Sequence, residues 1–248
     1  MLLSRSLLYF VGSIISLILI SFIGLFLVFS SYKIRQKFLS QWAIFCIWWL
    51  KITLNIKTKV VGRENVLKSP CIIVSNHQST WETLAFQTIF PAHTWVLKRE
   101  LLWLPIFGWS LALLKPIIIN RGDKLNAIKK VIKQGADRLN KGISIVVYPE
   151  GTRQPYKKLG DYQNGGSAIA KKTGHSIVPV FHNAGKLWPK GSFIKRPGEI
   201  TIVIGKAIHQ SNLRPSEVTE IIREWTLNCL LYTSDAADEG LGVDLGGR

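Results

Sequence analysis

The stretch of sequence that decides the fold is Ser75-Asn76-His77-Gln78-Ser79-Thr80-Trp81-Glu82. It follows residues 72–74, a short β-branched run that predicts a buried strand, and it ends where a helical pattern begins. A serine or threonine of the stretch is placed to cap that helix. The histidine therefore lies on a turn after the carboxyl end of a strand, which is where α/β sheets form their ligand-binding crevices.

His77 and Glu82 are five residues apart. On one continuous helix this offset would turn the two side chains apart, because neighbours on a helix face are three or four residues apart. A bend between strand and helix would let them meet, and a carboxylate bonded to one imidazole nitrogen leaves the other nitrogen free to accept a proton. The alternative is a loop histidine without a catalytic role, with Glu82 only complementing the helix dipole. These eight residues alone leave both interpretations open.

The composition of the chain favours an anionic partner. In its 248 residues, lysine and arginine outnumber the acidic residues 32 to 15, for a net charge of +17. Such an excess suits nucleic acid, an acidic membrane surface or phosphorylated small molecules. Nine tryptophans and a hydrophobic fraction of 47% favour the membrane, since tryptophan prefers surfaces that are half apolar and half wet. Cys46, Cys71 and Cys229 have no metal-binding spacing and cannot all pair, which predicts a reducing compartment and no bound metal ion.

The amino terminus, residues 1–50, is predicted to be a membrane-associated helical segment. Residues 7–32 carry no charge and are long enough to span a bilayer with some tilt. A cleaved signal peptide is the alternative, but no A-x-A-like site follows the run. Lysine and arginine cluster directly after it, which places the rest of the protein in the cytoplasm by the positive-inside rule. Residues 42–50 are too short to span and predict an interfacial helix, and whether the first segment crosses or dips stays open.

Residues 51–228 alternate short apolar runs with segments of helical periodicity. Strand patterns cover residues 52–61, 72–74, 94–97, 116–119, 143–148, 177–181 and 200–204. Helical patterns follow residue 80, run from a predicted N-cap at Asp123 to Gly142, surround Ala168 and begin again at Pro215. The alternation predicts an α/β fold in which a mostly parallel mixed sheet is covered by helices on both faces.

Charged residues recur in and after the predicted strand ends. They are Lys98, Arg99, Arg121, Glu150 and Arg153. Each alone is usually a solvated charge, but their recurrence predicts one cationic crevice beside His77. Arg153 follows a glycine-containing turn, and a guanidinium can bind two phosphate oxygens at once, so this turn is a candidate phosphate site.

Four blocks of residues carry a resemblance to a known family. They are His77-x4-Glu82; Lys98-x-Glu100-Leu101 with Pro105, Gly108 and Arg121; Tyr148-Pro149-Glu150-Gly151-Thr152-Arg153; and Val178-Pro179-Val180. In this order they resemble the blocks of the 1-acylglycerol-3-phosphate O-acyltransferases, the lysophosphatidate acyltransferases of bacterial phospholipid synthesis, over about residues 72–208. Three residues depart from the family pattern: Glu82 and Asn120, where aspartate is common, and Gln163, where lysine is frequent.

The resemblance implies an acyltransferase with a glycerolphosphate acyltransferase-like fold and membrane-embedded helices at its amino terminus. His77 would take the proton of the sn-2 hydroxyl of lysophosphatidate, and Glu82 would orient the imidazole. Substrate binding would fall to Lys98, Arg99, Arg121, Glu150, Gly151, Thr152 and Arg153. An acyl thioester of coenzyme A or of acyl carrier protein would be the co-substrate, with no bound cofactor. The implied location is the cytoplasmic (inner) membrane, with the catalytic domain on the cytoplasmic side.

Other functions compete with this interpretation. The four blocks do not distinguish acylation of lysophosphatidate from acylation of glycerol 3-phosphate or another lysophospholipid. A membrane-tethered basic protein that binds nucleic acid would show affinity that falls steeply with salt. In this chain the basic residues are not interleaved with aromatic residues on one module, so we expect no nucleic-acid partner. A Gly-x-Ser-x-Gly elbow is missing from the sequence, which speaks against a serine hydrolase.

Residues 229–248 differ in character from the rest of the chain. Residues 229–239 are similar to the conceptual translation of a transposon-type sequencing-library adapter, and residues 243–248 to that of the next constant part of the adapter. A natural glycine-rich tail is the alternative. We expect the native segment to end near Asn228. Without residues 229–248, which hold four acidic residues and one basic residue, the net charge rises from +17 to +20.

Overall fold

One sheet of seven strands is formed by the residues that this computed structural model describes, 1–119, 124–209 and 212–238. The strands are β1 (Ile56–Val61), β2 (Ile72–Ser75), β3 (His93–Lys98), β4 (Ile117–Ile119), β5 (Ser144–Val147), β6 (Ile177–His182) and β7 (Gly198–Ile204). The helices are α1 (Leu2–Leu25), α2 (Tyr32–Leu54), α3 (Trp81–Ile89), α4 (Phe107–Leu113), α5 (Lys124–Asn140), α6 (Gly165–Thr173) and α7 (Pro215–Asp238). Short 3-10 turns occupy Arg63–Asn65, Arg99–Trp103 and Ala184–Lys186.

The sheet is mixed and mostly parallel, as the sequence predicts. Its strand order is β1-β7-β6-β2-β5-β3-β4, and of the neighbouring pairs in the described chain only β6 and β7 run antiparallel. The central strands β2, β5 and β6 are buried on both faces along their whole length, which explains their continuous apolar runs. Because β6, β2 and β5 are parallel neighbours, their carboxyl ends meet at one edge of the sheet.

Helices cover both faces of the sheet, which confirms the predicted layering. Alternate residues of a strand point to opposite faces. Ile73 and Val146 therefore pack in one apolar cluster with residues of α2 and α3. Ile72 and Ile145 pack in a second cluster with residues of α5, α6 and α7.

The first strand begins later than predicted. Residues 52–54 belong to α2, which ends where Asn55 adopts a left-handed backbone with φ of 52°. Asparagine tolerates this conformation, and Leu50 and Leu54 are buried when the helix continues this far. The strand prediction over 52–55 was wrong because burial of the α2 face outweighs a short alternating pattern. The N-cap predicted at Asp123 lies outside the described residues.

The amino-terminal segment is a pair of packed helices. The predicted interfacial stretch, residues 42–50, is the middle of α2, and its buried side packs against α1 and α3. Two tryptophan side chains of α2 tie the pair together: the indole N–H of Trp42 donates to the Ser13 carbonyl at 3.0 Å, and that of Trp49 donates to the Leu8 carbonyl at 3.2 Å. The helix α2 thus joins α1 to the sheet.

The burial of α1 is the reverse of that of a helix in a water-soluble protein. Its buried residues are Ser6, Tyr9, Ser13, Ser21 and Gly24, whereas its outer face exposes leucine, isoleucine, valine and phenylalanine. In the described chain α1 is also the one helix long and apolar enough to cross a membrane. Both of its ends are bonded to the body, since Ser6 Oγ accepts from the Lys195 N–H at 3.1 Å and the Ser21 carbonyl accepts from Ser110 Oγ at 3.0 Å.

Candidate active site

The candidate site lies where the carboxyl ends of β6, β2 and β5 meet. The turn after β2 carries His77, the turn after β5 carries residues 148–153, and β6 ends with His182. Segments far apart in the chain therefore converge on one edge of the sheet. This edge is where open α/β sheets bind their ligands.

His77 and Glu82 are in direct contact. Nδ1 of His77 lies 2.7 Å from Oε1 of Glu82, which is fully buried in the first turn of α3. The same oxygen accepts the backbone N–H groups of Gln78 at 3.0 Å and Ser79 at 2.9 Å, so the bend between β2 and α3 is closed around the carboxylate. Since Nδ1 donates to the carboxylate, Nε2 of His77 is the nitrogen left with a lone pair. The His77 side chain is 17% exposed, enough for a substrate to reach it.

The surroundings of Glu82 favour its ionised form. Burial by itself disfavours the charge, but His182, His77 and the Ser79 N–H together lower the pKa of Glu82 below its usual value. The carboxylate is thus negative at neutral pH. A negative partner on Nδ1 fixes the tautomer in which Nε2 of His77 can accept a proton, and it faces the imidazolium that forms when that proton is taken.

The imidazole plane of His77 is held by stacking on Tyr148. The two ring centroids are 4.1 Å apart and the planes differ by 15°. Tyr148 is the first residue after β5, so the stacking joins the neighbouring strands at the site. Burial and the charge of Glu82 raise the pKa of Tyr148, which keeps its hydroxyl neutral.

Glu150 connects the third block to the backbone of His77. Its Oε1 accepts the His77 N–H at 3.0 Å, and its Oε2 accepts the Gly160 N–H at 3.1 Å. The Gln154 N–H also donates to the His77 carbonyl at 2.7 Å. Burial raises the pKa of Glu150 to about 7 despite these two backbone bonds. Because each of its carboxylate oxygens accepts a backbone N–H, Glu150 shapes the turn.

The turn after β5 also places Arg153 beside the first block. Gly151 has a left-handed φ of 66°, and its N–H donates to the Tyr148 carbonyl at 3.0 Å, which closes the turn. The guanidinium of Arg153 then donates from Nη1 to Thr80 Oγ1 at 3.1 Å. Thr152 is exposed, and Lys190 Nζ lies 3.4 Å from its hydroxyl. Lys190 adds a positive charge here that the sequence analysis did not anticipate.

The remaining predicted site residues stand apart from this group. Lys98 is the last residue of β3 and Arg99 follows it, both exposed and two strands away from β2. Within residues 1–119, 124–209 and 212–238, neither makes a hydrogen bond or ion pair with His77, Glu82 or Arg153. Arg121 lies outside the described residues.

Asn76 and His182 are site residues that the sequence reasoning missed. The Asn76 amide donates to the His182 carbonyl at 2.9 Å and accepts the His182 N–H at 3.0 Å. Nδ1 of His182 accepts the Ala184 N–H at 3.4 Å, so Nε2 carries the ring hydrogen and donates it to the Asn76 carbonyl at 3.0 Å. Both side chains are buried. The position of His182 at the end of a predicted strand, after Val178-Pro179-Val180, is the signal that could have found it.

Comparisons with known proteins find relatives of one family. The family model described as Acyltransferase matches residues 57–183. A 1-acyl-sn-glycerol-3-phosphate acyltransferase of Pseudomonas aeruginosa is 44% identical over 191 residues, which cover 77% of this chain and 74% of that protein. A protein of the same name from Saccharomyces cerevisiae is 30% identical, over 86% of this chain and 73% of its own length.

Two more distant proteins are similar to this chain over part of its length or in fold. A chloroplastic 1-acyl-sn-glycerol-3-phosphate acyltransferase of Brassica napus is 31% identical over 66% of this chain, which spans about half (49%) of that protein's length. The crystal structure of the 1-acyl-sn-glycerophosphate acyltransferase of Thermotoga maritima matches with a TM-score of 0.78 at 22% identity, covering 94% of this chain and 95% of that one. The shared fold includes the mixed sheet flanked by helices.

Proposed function

This chain belongs to the acyltransferase family, and from that premise we propose that it transfers an acyl chain to the sn-2 hydroxyl of 1-acylglycerol 3-phosphate. The donor is an acyl thioester of coenzyme A or of acyl carrier protein, and the product is phosphatidate for phospholipid biosynthesis. The observation that carries the proposal is the 2.7 Å contact between His77 and the buried Glu82 at the carboxyl edge of the sheet.

The reaction begins with removal of the hydroxyl proton. Nε2 of His77 accepts the proton of the sn-2 hydroxyl while the hydroxyl oxygen forms a bond to the thioester carbonyl carbon. Glu82 stabilises the imidazolium, and Tyr148 keeps the ring in plane. General-base catalysis of this kind supplies roughly a hundred- to ten-thousand-fold of the rate enhancement.

The second half of the reaction returns the proton. The tetrahedral intermediate collapses, the carbon–sulfur bond breaks, and the leaving thiolate takes the proton from Nε2 of His77. The imidazole is thereby restored for the next turnover, so the chemistry requires no bound cofactor. The rest of the rate enhancement comes from holding donor and acceptor in contact with Nε2.

The phosphate of the acceptor is bound at the turn after β5. Arg153 lies beside the His77 block, where Thr80 accepts one of its N–H groups and fixes the guanidinium. Its remaining donors can form a bidentate contact with phosphate oxygens, and Lys190 adds charge to the same turn. Gly151, Thr152 and Glu150 shape this turn. Lys98, Arg99 and Arg121 are proposed as further substrate-binding residues, with Arg121 as a second ligand of the acceptor phosphate.

The enzyme lies on the cytoplasmic (inner) membrane with its catalytic domain on the cytoplasmic side. The apolar outer face of α1 suits lipid, while its bonds to the body at both Ser6 and Ser21 favour a helix lying in the membrane surface over one that crosses it. Lys33 and Lys37 are exposed at the start of α2 and support the cytoplasmic side. Arg35 does not count toward that charge at the surface, because it is buried and donates to the Val28 and Ser30 carbonyls at 2.8 Å.

The test is an assay of membranes containing the full chain with lysophosphatidate and a labelled acyl-CoA. Labelled phosphatidate is the expected product, and a parallel assay with acyl carrier protein identifies the donor. Acylation of glycerol 3-phosphate or of another lysophospholipid, with lysophosphatidate left unused, would move the assignment to that acceptor. No turnover with any acceptor, together with salt-sensitive retention of nucleic acid, would reject the enzyme proposal.

A further inference from the structure

The connection between β3 and α4, together with the first turn of α4, exposes large apolar side chains to the surroundings. The exposed fractions are 37% for Leu101, 70% for Trp103, 49% for Leu104 and 54% for Trp109. Residues 98–109, here called the 98–109 segment, therefore offer a compact apolar surface rimmed by charge. Contiguous apolar surface of this kind marks a protein or membrane contact.

The two buried residues of α4 are small. Gly108 and Ser110 of α4 are buried, and a Cβ added at Gly108 would come within 2.5 Å of the Leu102 carbonyl. Trp109, which lies between them in sequence, faces outward. As in α1, serine and glycine are buried while large apolar side chains face outward, and Leu111 and Leu113 of α4 pack against the core. Such an inversion favours lipid as the surrounding medium, and tryptophan is the side chain best suited to the bilayer interface.

The apolar surface of the 98–109 segment is next to that of α1. Ser110 Oγ donates to the Ser21 carbonyl at 3.0 Å, and the Phe107 ring lies 6.4 Å from the Trp42 ring of α2. The helix α4 thus packs on the same two helices that present the amino-terminal apolar face. The 98–109 segment therefore lies beside the carboxyl-terminal half of α1.

Charge at the start of the segment matches an anionic lipid surface. Lys98 and Arg99 are both exposed, against one exposed acid, Glu100. Basic side chains beside an inserted apolar element add attraction to anionic headgroups. A partner protein would fit the apolar side chains equally well, but it would not explain their continuity with α1.

We propose that the 98–109 segment is a second membrane-contact element, which inserts Leu101, Trp103, Leu104 and Trp109 into the same anionic bilayer as the outer face of α1. Lys98 and Arg99 then lie at headgroup level. Because β3, β5 and β2 are parallel, the element holds the edge of the sheet that carries His77 toward the lipid surface. The inference concerns lipid contact alone, so it stands or fails independently of which acceptor the enzyme uses.

The test places an environment-sensitive fluorophore at Leu104→Cys in the full chain. Cys229 is partly exposed and would react with the label, so Cys229→Ser is added. Cys46 and Cys71 are buried and stay unchanged. The matched control is Ile221→Cys, which is 43% exposed on α7 and lies on the helix layer that covers the other face of the sheet. In phosphatidylglycerol-containing vesicles, the label at position 104 should shift to the blue and be quenched by lipids with a spin label on the acyl chain. The label at position 221 should be quenched by aqueous iodide and not by these lipids.

Two results would overturn the proposal. One is a label at position 104 that iodide quenches as strongly as the label at position 221. The other is a label protected from iodide but insensitive to spin-labelled lipids, which would mean that a second copy of the chain covers the segment. If Leu104→Cys fails to fold, Trp103→Cys carries the same label at a more exposed position.

Discussion

Nε2 of His182 lies 3.8 Å from Oε1 of Glu82, the same oxygen that Nδ1 of His77 contacts at 2.7 Å. Two imidazoles thus face one buried carboxylate oxygen. Burial lowers the pKa of His182, so it faces Glu82 as a neutral ring whose N–H is donated to the Asn76 carbonyl. The ring places the positive end of its dipole near Glu82, and its contacts hold the turn that carries His77.

We expect His182 to act as a positioning residue. In His182→Phe, the backbone bonds to Asn76 remain while the ring N–H near Glu82 is lost. The pKa of Glu82 should rise, so the acid limb of the pH dependence of kcat should move to higher pH. The value of kcat should also fall about tenfold. His182→Gln, which keeps an N–H donor, should recover part of both. An unshifted acid limb in a folded His182→Phe protein would leave this residue a purely structural role.

The general-base role of His77 predicts a graded series of activities. His77→Ala should abolish turnover, since no other described side chain replaces Nε2. Glu82→Ala should be nearly as damaging, because it removes the partner of Nδ1 and the acceptor of two backbone N–H groups. Glu82→Asp should be milder, since it keeps the charge on a shorter arm. The measurement is the initial rate of phosphatidate formation, and normal turnover in His77→Ala would end the general-base proposal.

The separation of phosphate binding from proton transfer predicts opposite kinetic effects. Arg153→Lys keeps the charge but loses the bidentate geometry, so the KM for lysophosphatidate should rise while the donor KM and kcat change less. His77→Gln should do the reverse and lower kcat while lysophosphatidate still binds. A rise in only the donor KM for Arg153→Lys would assign the arginine to the phosphates of coenzyme A.

The raised pKa of Glu150 predicts a pH-dependent stability. The pKa of the Glu150 carboxyl is about 7 in the folded chain and 4.5 in the unfolded chain. The folded state therefore binds the carboxyl proton more tightly than the unfolded state. Folding stability from this group is therefore full below pH 4.5 and is lost as the pH rises to 7, by at most about 3 kcal/mol. The free energy of unfolding of Glu150→Gln should not show this decrease with pH. The check is the free energy of unfolding of both proteins in detergent between pH 4.5 and 8, where parallel curves would contradict the prediction.

The apolar face of α1 predicts membrane attachment that resists salt. Full-length protein should remain on membranes washed with 1 M salt, since apolar burial is not screened. Deletion of residues 1–30 should leave weaker binding to anionic vesicles that salt reverses. Deletion through residue 50 is less suitable, because it removes Leu50, which is buried in the core beneath the sheet. Release of the full-length protein by salt would contradict an inserted α1.

What the sequence alone determined came from patterns among residues that are close together in the chain. Apolar runs between turn residues predicted the central strands β2, β5 and β6, and their alternation with helices predicted a mostly parallel sheet with two covered faces. The first and third blocks indicated His77, Glu82 and Arg153 as candidate site residues, because those motifs are local. Strand and helix signals of this kind depend on side-chain periodicity, which is present in the chain before it folds.

Only the tertiary structure decided how these parts are joined. Glu150 accepts the N–H of His77 across 73 residues of sequence, and Asn76 pairs with His182 across 106. These bonds exist because the strand order places β6 and β5 on either side of β2, and strand order is set by long-range packing that no local pattern records. The inverted burial of α1 likewise depends on Trp42, Trp49 and Ser110, which bond to its backbone from other helices. Periodicity shows that a helix has an apolar side, but its packing partners decide whether that side is turned toward the protein or toward lipid.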